Sequence, residues 1–157
     1  MDLSICIVNW NTKSLLRKCL KSIYNKTEGV NFEAIIVDNA SRDGSVEMLK
    51  NEFPQCNTIP SKFNLGFSKG NNLAIMHARG KYILFLNPDT ELKTNALYGM
   101  FKFLEDSPKY GAVGCKLLNE DDFDKLDKCL VSAFTEMDEA LLHIGHASSF
   151  LKRWRTK

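Results

Sequence analysis

Four short runs of almost unbroken hydrocarbon punctuate the chain: LSICIVN at 3–9, FEAIIVD at 32–38, KYILFLN at 81–87 and AVGCKLL at 112–118. Each has the length of a strand, and each is apolar at consecutive rather than alternate positions. Such a strand has no face to give to water, so both of its faces must be covered, as in a parallel sheet. Helical spacing fills the intervals. Leu15, Leu16, Cys19, Leu20, Ile23 and Tyr24 repeat at three and four residues, as do Leu97, Met100, Phe101 and Leu104, with Thr94 as the expected N-cap and Pro108 beyond the end. DGSVEMLKNEF (43–53) predicts a third, shorter helix and GFSKGNNLAIMHARG (66–80) a fourth, ending near Gly80. CNTIPS (56–61) predicts a weak strand between these two. Strand and helix thus alternate up to residue 118, which prescribes βαβ units with right-handed crossovers: an α/β fold with a mostly parallel, Rossmann-like sheet and helices on both faces.

The pattern changes after residue 118. NEDDFDKLDK (119–128) is acidic and irregular and reads as a loop. Met137, Ala140, Leu141, Ile144, Ala147 and Leu151 then mark one face of an amphipathic helix, and no further strand is expected. The chain therefore divides into an α/β domain over 1–120 and a loop plus C-terminal helix over 121–157. A sheet that stops this early would leave an edge open, closed either by pairing in a homodimer or by that helix.

Composition narrows the class. With 157 residues, 44% hydrophobic and 25% charged, the chain is an ordinary globular domain. A net charge of +2 supplies no field that would gather nucleic acid. The cysteines (Cys6, Cys19, Cys56, Cys115, Cys129) are odd in number and lack a C-x-x-C pair, which suits free thiols in a reducing compartment. MDLSICIVNWN lacks a basic n-region, and no apolar run approaches the roughly 18 residues of a membrane span. A cytoplasmic location is expected. The Lys152, Arg153, Trp154, Arg155 cluster reads first as a solvated chain end, and otherwise as a peripheral contact with anionic lipid at the inner face of the membrane. His143 and His146 stand three apart but lack a third ligand in phase for zinc.

Ligands of an open parallel sheet lie outside the carboxyl ends of its strands. Asn9, Trp10 and Asn11 follow the first apolar run; Asp38, Asn39 and Ala40 the second; Asn87, Pro88, Asp89 and Thr90 the third. The first of these turns has no G-x-G-x-x-G, and the chain has no G-x-x-x-x-G-K-[ST], so dinucleotide and P-loop readings lose their support. A nucleotidyltransferase would want a basic glycine-rich loop there, also absent. Polar strand ends with two carboxylates fit a nucleotide-diphosphate sugar. Asp38 can accept from a ribose diol or a base N–H. Asp89 can hold Mg²⁺ or Mn²⁺, which take one or two carboxylates and complete their shell with water and phosphate. Gly66 and Gly70 allow close backbone approach, and a helix opening at Lys69–Asn72 would aim N–H groups at negative charge. Taken singly, each acid reads as a turn or helix cap and each glycine as a turn residue. Trp10 reads equally as a stacking or a packing residue.

The order SICIVNWN, FEAIIVDNASRDGSVEML, NLGFSKGNNLAI, GKYILFLNPDTEL, GAVGCKLLN closely resembles the family 2 glycosyltransferases over roughly residues 2–120, nearest to the rhamnosyltransferase-like enzymes of bacterial polysaccharide assembly. The resemblance implies a GT-A fold, truncated relative to the full family fold. It also implies inverting transfer of a sugar from a nucleotide-diphosphate donor to a saccharide or lipid-linked acceptor. By position, Val8, Asn9 and Trp10 would pack on the base, Asp38 and Asn39 would meet base or ribose, and the stretch with Asn64, Gly66, Gly70 and Asn71 would lie along the diphosphate. Asn87 and Asp89 would stand at the D-x-D metal motif, with an amide in place of the leading acid. The catalytic base and acceptor site of such enzymes belong to a second half. Glu120, Asp121 and Asp122 come too early to match that base. The expectation is a donor-binding half that needs more chain for turnover; the alternative is a non-catalytic nucleotide-sugar-binding module.

Overall fold

The computed structural model describes residues 1–115, 131–134 and 149–153. Among these residues, seven strands and four helices follow in the order β1 (Leu3–Asn9), α1 (Lys13–Lys26), β2 (Phe32–Asp38), α2 (Ser45–Glu52), β3 (Asn57–Pro60), α3 (Phe67–Met76), β4 (Tyr82–Leu86), α4 (Ala96–Asp106), β5 (Ala112–Cys115), β6 (Val131–Phe134) and β7 (Ser149–Arg153). One sheet contains all the described strands, in the order β3-β2-β1-β4-β7-β5-β6. β3, β2, β1 and β4 are parallel neighbours, with Asn9 opposite Asp38 and Ile7 opposite Leu86. Beyond β4 the sheet turns antiparallel.

The apolar runs sit where two-sided burial demands. Every residue of β1 is buried, as are six of the seven in β2. One layer of core packs Leu16, Cys19, Leu20 and Ile23 of α1 and Leu97, Met100 and Leu104 of α4 on one face of the sheet. Cys6, Ile35, Val37 and Ile83 point to the other face and meet Ala74 of α3. Each fully buried aliphatic side chain contributes about 1.5–3 kcal/mol relative to exposure. Leu15, read with the α1 stripe, instead lies 41% exposed.

Three expectations are corrected. The cap of α4 is Asn95 rather than Thr94: the Asn95 carbonyl accepts the Gly99 N–H, while its side chain makes no cap bond and is engaged with the Glu28 backbone on the neighbouring loop. The N-terminus of α3 is Phe67, two residues before Lys69, because Gly66 adopts φ +76 and ψ 173 and so breaks the chain into the helix there. The sheet also continues past residue 118: β6 pairs β5, and β7 lies between β4 and β5. Leu151, assigned by its spacing to a C-terminal helix, is in β7 opposite Leu84. The cause is the free side of β4, whose backbone N–H and C=O groups need partners wherever they are buried. β7 supplies them, so neither a second copy nor a helix is required at that edge. The acidic run at 120–122, His143, His146 and the helical face at 137–147 lie outside the described residues, as do Cys129, Trp154 and Arg155.

Candidate functional site

The carboxyl ends of β1 and β2 are joined by one hydrogen-bond network. Asn9 Nδ2 donates to Asp38 Oδ1 at 2.7 Å and to Ser41 Oγ at 3.1 Å, while Asn9 Oδ1 accepts from Thr12 Oγ1 at 2.6 Å. Asp38, which can only accept, fixes which end of the amide faces it, and the Thr12 hydroxyl donates to the end left over. Asp38 Oδ2 takes the Ser41 N–H at 2.9 Å. Asn11 and Ala40, both at positive φ (53° and 61°), fold these loops back on one another; the Asn11 N–H donates to Ser41 Oγ and its side-chain oxygen accepts from the Arg42 N–H. Non-glycine residues held there store on the order of 1 kcal/mol each, kept in place by the bonds around them. Asp38 is thus 1% exposed with both oxygens engaged inside the protein. In this geometry it braces the rim.

In front of this network opens a cavity of about 650 Å³. Trp10, Asn39, Arg42, Lys62, Phe63 and Asn64 are among its lining residues; Val8, Asn9 and Asp38 are not. Trp10 is 57% exposed and Phe63 67%, so both stand in solvent rather than in the core. Arg42 and Lys62 bring two cations to the same walls. Sequence reasoning missed Arg42, Lys62 and Phe63, which sit in irregular loops with no periodicity. The available signal was their place just beyond a strand: Arg42 after β2, Lys62 and Phe63 after β3.

The next loop is tied to the rim from the side. Asn39 Oδ1 receives the Leu65 N–H and its Nδ2 donates to the Gly66 carbonyl, both at 3.4 Å; Asn64 Oδ1 accepts the Gly66 N–H at 2.8 Å. Gly66 and Gly70 are needed for different reasons. A Cβ on Gly66 would meet nothing within 4 Å, so the requirement is its backbone conformation. A Cβ on Gly70 would come 2.9 Å from Val8 Cγ1, so the requirement is close packing of α3 on β1. Val8 and Gly70 are packing partners, and the buried Asn71 bonds back to the Phe67 carbonyl within α3.

At the end of β4, Asn87-Pro88-Asp89-Thr90 forms a tight turn closed by the Thr90 N–H on the Asn87 carbonyl at 3.2 Å. Proline at the second position presets that turn. Asp89 is exposed and makes no hydrogen bond or ion pair with another described residue. The turn stands one strand beyond β1 and two beyond β2, which separates the Asp38 and Asp89 backbones by roughly 10 Å across the sheet. A free carboxylate beside the half-buried Asn87 amide offers two oxygens of the kind that Mg²⁺ and Mn²⁺ accept when water and phosphate complete the shell. Among the described residues no three His, Cys, Asp or Glu side chains gather into an all-protein cage.

A parallel α/β core, polar strand ends and an antiparallel flank beyond β4 define a nucleotide-sugar-transferase type of fold, GT-A. Solved structures agree. Mannosyltransferase PcManGT from Pyrobaculum calidifontis, in complex with GDP-Man and Mn²⁺, superposes with a TM-score of 0.70 at 19% identity, over 96% of this chain and 44% of that one. S. aureus TarS 1-349 in complex with UDP gives 0.66 at 21% identity, over 76% and 37%. Among sequences, the poly(ribitol-phosphate) beta-glucosyltransferase of Bacillus spizizenii is 32% identical over 112 residues, 68% of this chain and 18% of its own length. The minor teichoic acid biosynthesis protein GgaA of Bacillus subtilis is 33% identical over 111 residues, 66% and 25%. The chain therefore spans a quarter or less of these two relatives. The model for glycosyl transferase family 2 matches residues 4–150, and the chain belongs to that family.

Proposed function

We propose that this chain binds the donor in an inverting transfer of a sugar from a nucleotide-diphosphate sugar to a saccharide or lipid-linked acceptor. The carrying observation is the 650 Å³ cavity walled by exposed Trp10 and Phe63 beside Arg42 and Lys62, with the free Asp89 carboxylate two strands away along the same rim. A flat base fits between exposed rings, and the two cations suit the negative charge that follows it. The first-turn N–H groups of α3, Phe67 to Lys69, add donors for the diphosphate. Asp38 and Asn9 act on the donor through the loops they hold, by keeping Trp10, Asn39 and Ser41 in place. Asp89 and the Asn87 amide oxygen would hold Mn²⁺ or Mg²⁺, which neutralises a leaving diphosphate. The relatives bearing transferase names and the neighbours titled with UDP, UDP-GlcNAc and GDP-Man support this donor class. Among the described residues no helix is long and apolar enough to cross a membrane, and we place the reaction in the cytoplasm, where nucleotide sugars are made.

Thermal denaturation tests the reading. UDP or GDP with Mn²⁺ is expected to raise Tm by mass action on the folded state. Asp89→Ala should remove the metal-dependent part and leave the metal-free part. Equal shifts in both proteins would remove Asp89 from the site, and no shift with either nucleotide would remove the donor reading.

A further inference from the structure

Asp89 has no side-chain partner of its own among the described residues, so its position depends on what holds the backbone on either side of it. That support comes from α1. The Leu92 N–H donates to Ser22 Oγ at 2.9 Å, and the same hydroxyl donates to the Cys19 carbonyl at 2.7 Å. Ser22 therefore links the two: its proton fixes the oxygen on the helix, and the oxygen fixes the loop. On the near side of the turn, Cys19 Sγ points at the Asn87 carbonyl at 3.8 Å, the same oxygen that closes the turn with Thr90. On the far side, the Asn95 side chain brackets Glu28, accepting from its N–H at 3.3 Å and donating to its carbonyl at 3.0 Å. Leu92, 7% exposed, is pressed into the core between these points. Residues 87–95 are thus held to α1 and the loop behind it at three places, with Asp89 projecting between the first two.

The other end of the same helix holds the other half of the rim. Thr12, the residue that opens α1, fixes Asn9, and the Lys13 N–H donates to Asp43 Oδ2 at 2.7 Å. We infer that Ser22, assisted by Cys19, is a positioning residue for the metal-binding carboxylate, and that α1 sets the spacing between the base pocket and Asp89. The inference rests on the donor reading given above and adds to it a residue that touches neither sugar nor nucleotide. Its physical content is specific: loss of the Ser22 oxygen frees the Leu92 N–H and slackens the Asp89 arm alone, leaving the Asn9–Asp38 arm intact.

The test measures Mn²⁺ binding by the paramagnetic resonance signal of free Mn²⁺, in the presence of UDP or GDP, and nucleotide binding by calorimetry in EDTA. Ser22→Ala is expected to weaken Mn²⁺ about tenfold, the cost typical of losing a group that orients a metal ligand, with nucleotide affinity in EDTA unchanged. Ser22→Thr, which keeps the hydroxyl, should restore Mn²⁺ binding. Faster hydrogen exchange at the Leu92 amide in Ser22→Ala, before any ligand is added, reports the slackened loop directly. Ser22→Cys keeps the volume and replaces the oxygen with a weak acceptor; it gives the same split should the alanine variant not fold. Mn²⁺ affinity within twofold of wild type, or an equal loss with and without metal, overturns the inference while leaving the donor reading standing. Wild-type protein that binds neither nucleotide nor Mn²⁺ overturns both.

Discussion

Asn9 gives its side-chain amide to Asp38 at 2.7 Å across the ends of two neighbouring strands, and Thr12 donates to the amide oxygen on the other side. Asp38→Asn therefore cannot be silent. A neutral amide has one acceptor oxygen for two donors, the Asn9 amide and the Ser41 N–H. One of those buried donors would face a second N–H, at a cost of about 1–3 kcal/mol. Since a domain of this size loses about 2–4 °C of Tm per kcal/mol, scanning calorimetry on the ligand-free variant should show a drop of several degrees. An unchanged Tm would mean the bond pattern around Asp38 is not as described.

Gly66→Ala and Gly70→Ala should both destabilise, by different routes that a second substitution separates. Alanine at 66 meets open space but must adopt φ +76, a cost of about 1–3 kcal/mol. Alanine at 70 collides with Val8, a cost of about 1–3 kcal/mol for overpacking. Adding Val8→Ala should relieve Gly70→Ala and leave the Gly66→Ala penalty in place. Urea unfolding of six proteins (wild type, Val8→Ala, each glycine variant alone and each combined with Val8→Ala), read as two double-mutant cycles, measures the coupling.

Burial works to raise the pKa of Glu33, but hydrogen bonds from Arg79 and Ser4 outweigh it and hold the carboxyl below the ordinary carboxylate range. A folded value below the unfolded one, about 4.3, means stabilisation that is complete above that pH and lost as pH falls through the folded value. The stability gap between wild type and Glu33→Gln should be widest near neutrality and should narrow as pH falls below about 4.3. Denaturant curves at a series of pH values check this; a gap that widens on acidification contradicts it.

Burial pushes the Cys6 and Cys19 thiols up to about 12, with Glu33 adding to the first and Asp89 and Glu91 to the second. At pH 8 only roughly one thiol in ten thousand is then thiolate, against about a quarter for a free cysteine. Peptide mapping after brief iodoacetamide treatment should find both unmodified in the native protein and both modified in urea. The half-buried Cys115 should react before either.

The centre of the parallel half was legible because β1, β2 and β4 are covered on both faces. Burial on two sides leaves a run with no polar alternation, and the runs at 3–9 and 32–38 end on the residues that end β1 and β2. β7 was not legible. SFLKR carries polar residues at three of its five positions and continues a helical spacing from Met137; its extended state is set by the unpaired side of β4, a partner more than sixty residues away in the chain. Trp10 and Asp89 were readable as groups left outside at strand ends, and both are exposed. The inward turn of Asp38 was hidden, since a carboxylate at a strand end looks the same whether it faces solvent or local donors. Its partners come from 29 residues upstream and 3 downstream, and only the register of β1 on β2 brings the first of them within reach.

The insertion of β7 between β4 and β5 also governs the order in which the molecule can be assembled. On a ribosome, the segment from Leu3 to Leu86 holds its own strand neighbours as soon as it emerges. Ala112–Cys115 and Val131–Phe134 can form a ribbon with each other, and Val113 can join the core, yet the ribbon has no strand neighbour in the parallel half until Ser149–Arg153 arrives to bridge them. Completion of the sheet is therefore a late, long-range closure, and a nascent chain paused before residue 149 would carry a gap in the sheet with the side of Tyr82–Leu86 exposed to chaperones or to other chains.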